Sequence, residues 1–264
     1  MSRLILIKGA GDLATGIAHR LYRSGFLVVM TELAQPTVIR RPVAFAEAVY
    51  RGRTEVEGVT AVRTEMDGLA ATFEQDAIPV VVDETGRCVQ ERNWAAVVDA
   101  ILAKRNIATA LTDAPLVVGV GPGFTVGKDV HFVVETKRGH DLGRVLLSGT
   151  AAPNTAIPGN IGGYTIERLL QSPCAGVFQG MKNIGDIVRK GEVVATVEKQ
   201  PVPAKIGGVL RGLLRSGLTV QEGMKIGDID PRSCREYCFT ISDKARAVGG
   251  GVLEALLMSR LTGE

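Results

Sequence analysis

The feature that most restricts the fold lies at the start of the chain. A continuous apolar run, Leu4-Ile-Leu-Ile7, enters the glycine turn GAGDLATG at 9–16 and continues into a segment with Ile17, Leu21 and Tyr22 on one helical face. A run that is apolar at every position belongs to a strand buried on both faces, as in the parallel sheet of an α/β protein. A second apolar run, Phe26 to Met30, ends in Thr31 and Glu32 and completes a βαβ unit. Runs at 78–82 and 116–120 extend the pattern. Between them the spacing predicts a short helix after Pro42, a short strand in 56–62 and a helical stretch from Met66 to Phe73. It also predicts a helix built on Trp94, Val97, Val98, Ile101 and Leu102.

The chemistry of the first turn is specific. Gly9 and Gly11 let the backbone turn tightly and approach a pyrophosphate, Ala14 stands at the third glycine position, and Gly16 follows in the helix. The N–H groups at the start of that helix point at the anion, with Asp12 beside them. Glu32, about 20 residues on, is placed to accept ribose hydroxyls. Two readings stay open: a nucleotide-binding turn, or a turn that only packs helix on strand with Asp12 as the helix cap.

A second glycine loop, GPGF at 121–124 with Gly127-Lys128, brings Gly121 and Gly123 to the end of another strand. It reads either as an anion-facing loop or as a plain tight turn. The next turn, 135–144, gathers Glu135, Lys137, Arg138, His140, Asp141 and Arg144. Here Arg138 and Arg144 have the fork geometry for a phosphate or carboxylate, and Glu135 and His140 have the chemistry to position or protonate a ligand. The alternative is a solvated hairpin with internal ion pairs.

The second half carries an internal repeat. A shift of 32 residues aligns Gly176 with Gly208, Gly185 with Gly217, Val188 with Val220, Gly191 with Gly223 and Val194 with Ile226. Two copies of short strands related by a pseudo-twofold axis resemble a biotinyl or lipoyl barrel-sandwich hybrid over roughly 172–230. Lys199 falls near the hairpin tip that bears the swinging lysine in carrier domains. Its neighbours, including Pro201, are not those of a modified lysine, so the module reads as scaffold. At the C-terminus Ser242 is placed to cap a helix with Ala245, Val248, Val252, Leu256 and Leu257 on one face.

The expected fold class is therefore α/β, a Rossmann-like parallel-sheet domain followed by a β-rich barrel-sandwich-hybrid domain and a C-terminal helix. The expected boundaries are 1–124, 125–235 and 236–264, the helix packing back on the first domain. Composition narrows the function. With 31 Lys and Arg against 28 Asp and Glu the net charge is +3, and no overall field recruits nucleic acid or an anionic membrane. No stretch of about 18 apolar residues exists to span a bilayer. The first apolar run is too short for a signal peptide, and four cysteines suit a reducing compartment, so a cytoplasmic location is expected. No metal signature is present; Cys234 and Cys238 are CxxxC without a nearby His.

Several motifs in order, GAGDLATG, VGVGPGF at 118–124, ETKRGHDLGR at 135–144, PNTAIPGNI at 153–161, KIGDIDPR at 225–232 and ISDKAR at 241–246, resemble the accessory proteins of selenium-dependent molybdenum hydroxylase systems. That resemblance implies a cytoplasmic maturation factor that accompanies a client molybdenum hydroxylase. It also implies a small phosphate-bearing ligand, either an NAD(P)-like nucleotide or a molybdopterin cofactor. Two alternatives stand beside it: an NAD(P)-dependent oxidoreductase acting on a small selenium or sulfur species, and a non-catalytic docking module for the hydroxylase. Whether a reaction is catalysed stays open at this point.

Overall fold

The structure, a computed structural model, describes residues 4–155 and 157–261, with side chains to Ser259; Ala156, within the PNTAIPGNI motif, lies outside the described residues. The chain divides into two compact units, one formed by 1–36, 44–154 and 241–264 and the other by 37–43 and 155–240.

The first unit begins with β1 (Leu4–Lys8), α1 (Asp12–Arg23) and β2 (Leu27–Glu32). It continues with α2 (Glu47–Arg51), the hairpin β3 (Arg53–Val56) and β4 (Val59–Thr64), then α3 (Leu69–Glu74) and β5 (Ala77–Val82). Strands β6 (Ala96–Asp99), β7 (Val117–Val120), β8 (Phe132–Val134) and β9 (Val145–Leu146) complete one nine-stranded sheet, ordered β3-β4-β5-β2-β1-β6-β7-β8-β9. The crossover from β1 to β2 and that from β4 to β5 run in opposite directions along the sheet. Right-handed connections therefore put α1 and α3 on opposite faces. The α3 face buries Leu6, Val29, Val81, Trp94 and Val97.

The second unit contains β10 (Leu169–Gln171), β11 (Gly176–Gly180), β12 (Ile187–Val188), β13 (Val193–Val197), β14 (Gln200–Pro203), β15 (Gly208–Leu213), β16 (Thr219–Val220) and β17 (Lys225–Asp230). They form two four-stranded antiparallel sheets, β10-β17-β15-β12 and β14-β13-β11-β16. Phe178, Val194, Leu210, Leu213, Ile226 and Ile229 from both sheets share one core. The chain then returns to the first unit as α4 (Asp243–Leu261). The Ser242 hydroxyl accepts the Ala245 N–H at 3.2 Å, an N-cap bond.

The expected fold class needs correcting in three places. The large sheet is mixed, because β3 folds back on β4 through the Glu57-Gly58 turn and β9 folds back on β8 through 135–144, both antiparallel. The repeat does not form a biotinyl or lipoyl barrel-sandwich. Its strands form two four-stranded antiparallel sheets, β10-β17-β15-β12 and β14-β13-β11-β16, each drawing strands from both copies. The segment expected to be a helix from Trp94 to Leu102 contains strand β6, paired with β1 and β7. A strand buried on both faces leaves no alternation to separate it from a buried helix. The first unit also runs past 124 to Asn154, because β8 and β9 complete its sheet.

Candidate anion-binding cleft

All parallel strands end at the same edge of the sheet, and the acids there are already committed. Glu32 accepts the N–H of Ala10 at 3.0 Å and of Leu33 at 2.8 Å. Burial pushes its carboxyl up, and those two N–H groups pull it back only in part. Asp83, just past β5, accepts four loop N–H groups, from Thr85, Gly86, Arg87 and Cys88. Burial acts to raise the Asp83 carboxyl, yet the loop donors, Cys88 first, hold it below its ordinary value. Glu135, past β8, accepts the N–H groups of Thr136, Lys137 and Ala152, each at 2.7 Å. A carboxylate saturated by backbone donors fastens loops.

At the ends of adjacent β1 and β6 a further kind of commitment appears, one with no local signal in the sequence. The Lys8 ammonium donates to the Thr109 hydroxyl at 2.5 Å, and that hydroxyl donates to Asp99 at 2.6 Å. Lys8 and Asp99 lie 3.6 Å apart, and all three side chains are buried. Asn106 holds Thr109 in place through a bond to its N–H and another to its carbonyl.

The glycine turns are packed as well. Gly9 adopts φ +96°, a conformation that side-chain-bearing residues avoid, and the space a Cβ would take is filled by the Ala100 and Ile101 backbone. Gly11 is the N-cap of α1 with φ −66°, and Asp12 opens the helix rather than capping it. The Ala46 N–H donates to the Ala10 carbonyl, and the Phe45 N–H to the Thr15 hydroxyl. Ala14 is buried within α1. A Cβ on Gly121 would meet Thr136, and one on Gly123 the backbone of Arg105.

In the 135–144 turn the expected site residues do not converge. Arg138 makes a bidentate pair with Asp243 at 2.6 and 2.8 Å, Arg144 pairs with Asp141 at 3.0 Å, and His140 is exposed.

One expected residue, Gly16, does line a cleft, at the opposite end of α1. A Cβ there would collide with Ala245, so the glycine lets α4 approach α1 closely. The resulting cleft, about 230 Å³, is lined by Gly16, His19, Arg20, Arg23, Ser24, Ile241 and Arg246. Arg246 makes two bonds to the Glu57 carboxylate, at 2.9 and 3.0 Å, and Glu57 also accepts the Ile241 N–H at 2.7 Å. Neither Arg20 nor Arg23 forms an ion pair among the described residues. His19 is buried, its Nε2 lying 3.3 Å from the Glu57 carbonyl oxygen. Burial lowers the His19 imidazole below its ordinary value; Glu57 counters this, and the charges of Arg23 and Arg246 add to it. Residues 18–23, AHRLYR, carried the only sequence signal, and their basic groups also suit the negative end of a helix dipole.

No protein-family model matches the chain. An Escherichia coli K12 relative described as "Uncharacterized protein YqeB" is 49% identical over 257 residues, 97% of this chain and 48% of the relative. The chain thus spans about half the length of the curated relative it matches. Among solved structures, a succinylglutamate desuccinylase from Silicibacter sp. is 12% identical with TM-score 0.26, over 86% of this chain and 84% of that one. An aspartoacylase family protein from Mesorhizobium loti is 12% identical with TM-score 0.28, over 87% and 85%. None of these descriptions names a maturation factor of molybdenum hydroxylases. The kinship expected from the motifs is corrected accordingly, and with it the maturation role, the nicotinamide-linked oxidoreductase and the hydroxylase-docking module.

Proposed function

We propose that the first unit binds a small, phosphate-bearing anion in the cleft formed by α1 and α4. The observation that carries this reading is a pair of guanidiniums, Arg20 and Arg23, opening on a cleft whose third cation, Arg246, is already balanced by Glu57. Planar guanidinium forks match oxyanion geometry and bind it through paired, charge-assisted hydrogen bonds. The volume is below the roughly 300–1,000 Å³ of a drug-sized ligand pocket, which suits a compact ion or head group. Binding, rather than a reaction, is what this geometry supports. Four unpaired thiols, Cys88, Cys174, Cys234 and Cys238, fit a reducing compartment, and we place the protein in the cytoplasm.

Thermal unfolding with sodium sulfate or inorganic phosphate, at ionic strength held constant with chloride, tests the reading. A bound ligand raises stability by RT ln(1 + [L]/Kd), about 2.7 kcal/mol at a hundredfold excess over Kd. The melting temperature is expected to rise with either oxyanion, and the rise to vanish when Arg20→Ala and Arg23→Ala are combined. An equal rise in that double variant, or none above chloride alone, removes the proposal.

A further inference from the structure

The cleft contains one imidazole, that of His19, and its surroundings are arranged around charge. From α1 come Arg20 and Arg23, from α4 Arg246, and from the β3–β4 turn Glu57. The Glu57 carbonyl can only accept a hydrogen bond, so His19 Nε2 is the donor and Nδ1 is the nitrogen that titrates. In the free cleft, burial and the neighbouring cations favour the neutral imidazole. An anion seated between Arg20 and Arg23 cancels that repulsion and favours the imidazolium. The uncompensated charge, that of Arg20 and Arg23, matches a doubly charged head group better than a singly charged one.

We propose that the cleft is a proton-linked site for a dianionic oxyanion head group of the phosphomonoester class, with His19 taking up a proton from solvent as the anion enters. This rests on the anion-binding reading above and adds to it the charge state of the ligand and the coupling to pH.

Sulfate is the decisive probe because it is a dianion throughout the accessible pH range, so any pH dependence belongs to the protein. Calorimetric titration of the full chain with sulfate from pH 5.5 to 8, in two buffers of different ionisation heat, should show affinity falling as pH rises. Linkage of one proton limits the fall to about tenfold per pH unit. The observed heat should differ between buffers, reporting proton uptake. Inorganic phosphate, whose second ionisation falls within this pH range, gains charge as His19 loses it, and its profile should be flatter. Nitrate, a monoanion, should bind at least tenfold more weakly than sulfate. In His19→Gln the sulfate slope should disappear. As a check that needs no variant, the imidazole resonance of His19 should titrate at higher pH with sulfate than without. If no oxyanion binds at any pH, the anion-binding reading itself falls. If sulfate binds without buffer-dependent heat, or the imidazole titration does not move, the proton linkage is overturned and binding stands. If nitrate matches sulfate, selectivity for a dianion is overturned.

Discussion

The two ends of α1 differ in how their charge is used. At the N-terminal end, where the dipole attracts anions and strand order around β1 reverses, Glu32 is bonded to Ala10, the neighbouring Phe45-Ala46 segment is bonded to Thr15 and Ala10, and Lys8 and Asp99 are tied together through Thr109. At the C-terminal end, where the dipole repels anions, Arg20 and Arg23 line an open cleft and, among the described residues, only Arg246 of the three is paired. A dipole and a glycine turn identify where an anion would be welcome. Which end takes one depends on which polar groups the fold has left uncommitted.

This contrast can be tested, beginning with the buried cluster. Lys8→Met leaves the Asp99 carboxylate buried without its cation, a loss that in other buried pairs costs about 3–5 kcal/mol. Adding Asp99→Asn should recover part of it in urea unfolding. A loss under about 1 kcal/mol would mean that the N-terminal end is not held by charge. Next in size is Gly249→Ala, whose new Cβ would lie 2.8 Å from the Gly16 carbonyl oxygen. Forcing atoms into such a contact costs roughly 1–3 kcal/mol. Because Gly16 and Arg246 line the cleft from the two helices, the same variant should weaken sulfate binding; unchanged affinity would separate helix packing from the site.

A smaller effect follows from His19. Its folded value lies below the ordinary 6.5, so the folded protein holds fewer protons than the unfolded chain near that pH. The stability it contributes is present above 6.5 and is lost as pH falls through the folded value, at no more than about 1.4 kcal/mol per pH unit. Unfolding at pH 8 and pH 5.5 should show His19→Gln losing less stability than the parent over that interval. The smallest effect belongs to the charged turn. Arg138→Ala removes an exposed pair with Asp243, and such pairs contribute about 0–1 kcal/mol. It should leave sulfate affinity untouched; a tenfold loss would return the site to 135–144.

The α/β core was legible because Leu4–Ile7, 78–82 and 116–120 are apolar at every position and end in Lys8-Gly9, Asp83 and Gly121. The same property concealed β6. Val97 and Val98 fit a helix stripe as well as a strand, and the decisive fact, pairing with β1 some 90 residues earlier, is not local. The backbone partners of the acids are hidden in the sequence for a related reason. Glu32 and Glu135 stand where ligand-binding acids stand, and nothing in the sequence shows that loop N–H groups reach them first. The cleft needs Arg246, more than 200 residues from Arg20, so only half of it could be seen in AHRLYR. The three glycines at 249–251, which look like a helix defect, have a place in the fold. Gly249 lies against α1, and a Cβ on Gly251 would strike the Gly143 carbonyl oxygen.

The 32-residue repeat of the second unit has a consequence for its folding and ancestry. Strand β12 of the first copy is bonded to β15 of the second, and β16 of the second is bonded to β11 of the first. Each copy therefore gives its short middle strand to the other's sheet. The arrangement is that of a swapped dimer whose partners have been joined into one chain. Neither copy can complete a sheet by itself. A cut between β14 and β15 should yield fragments that regain structure only on mixing.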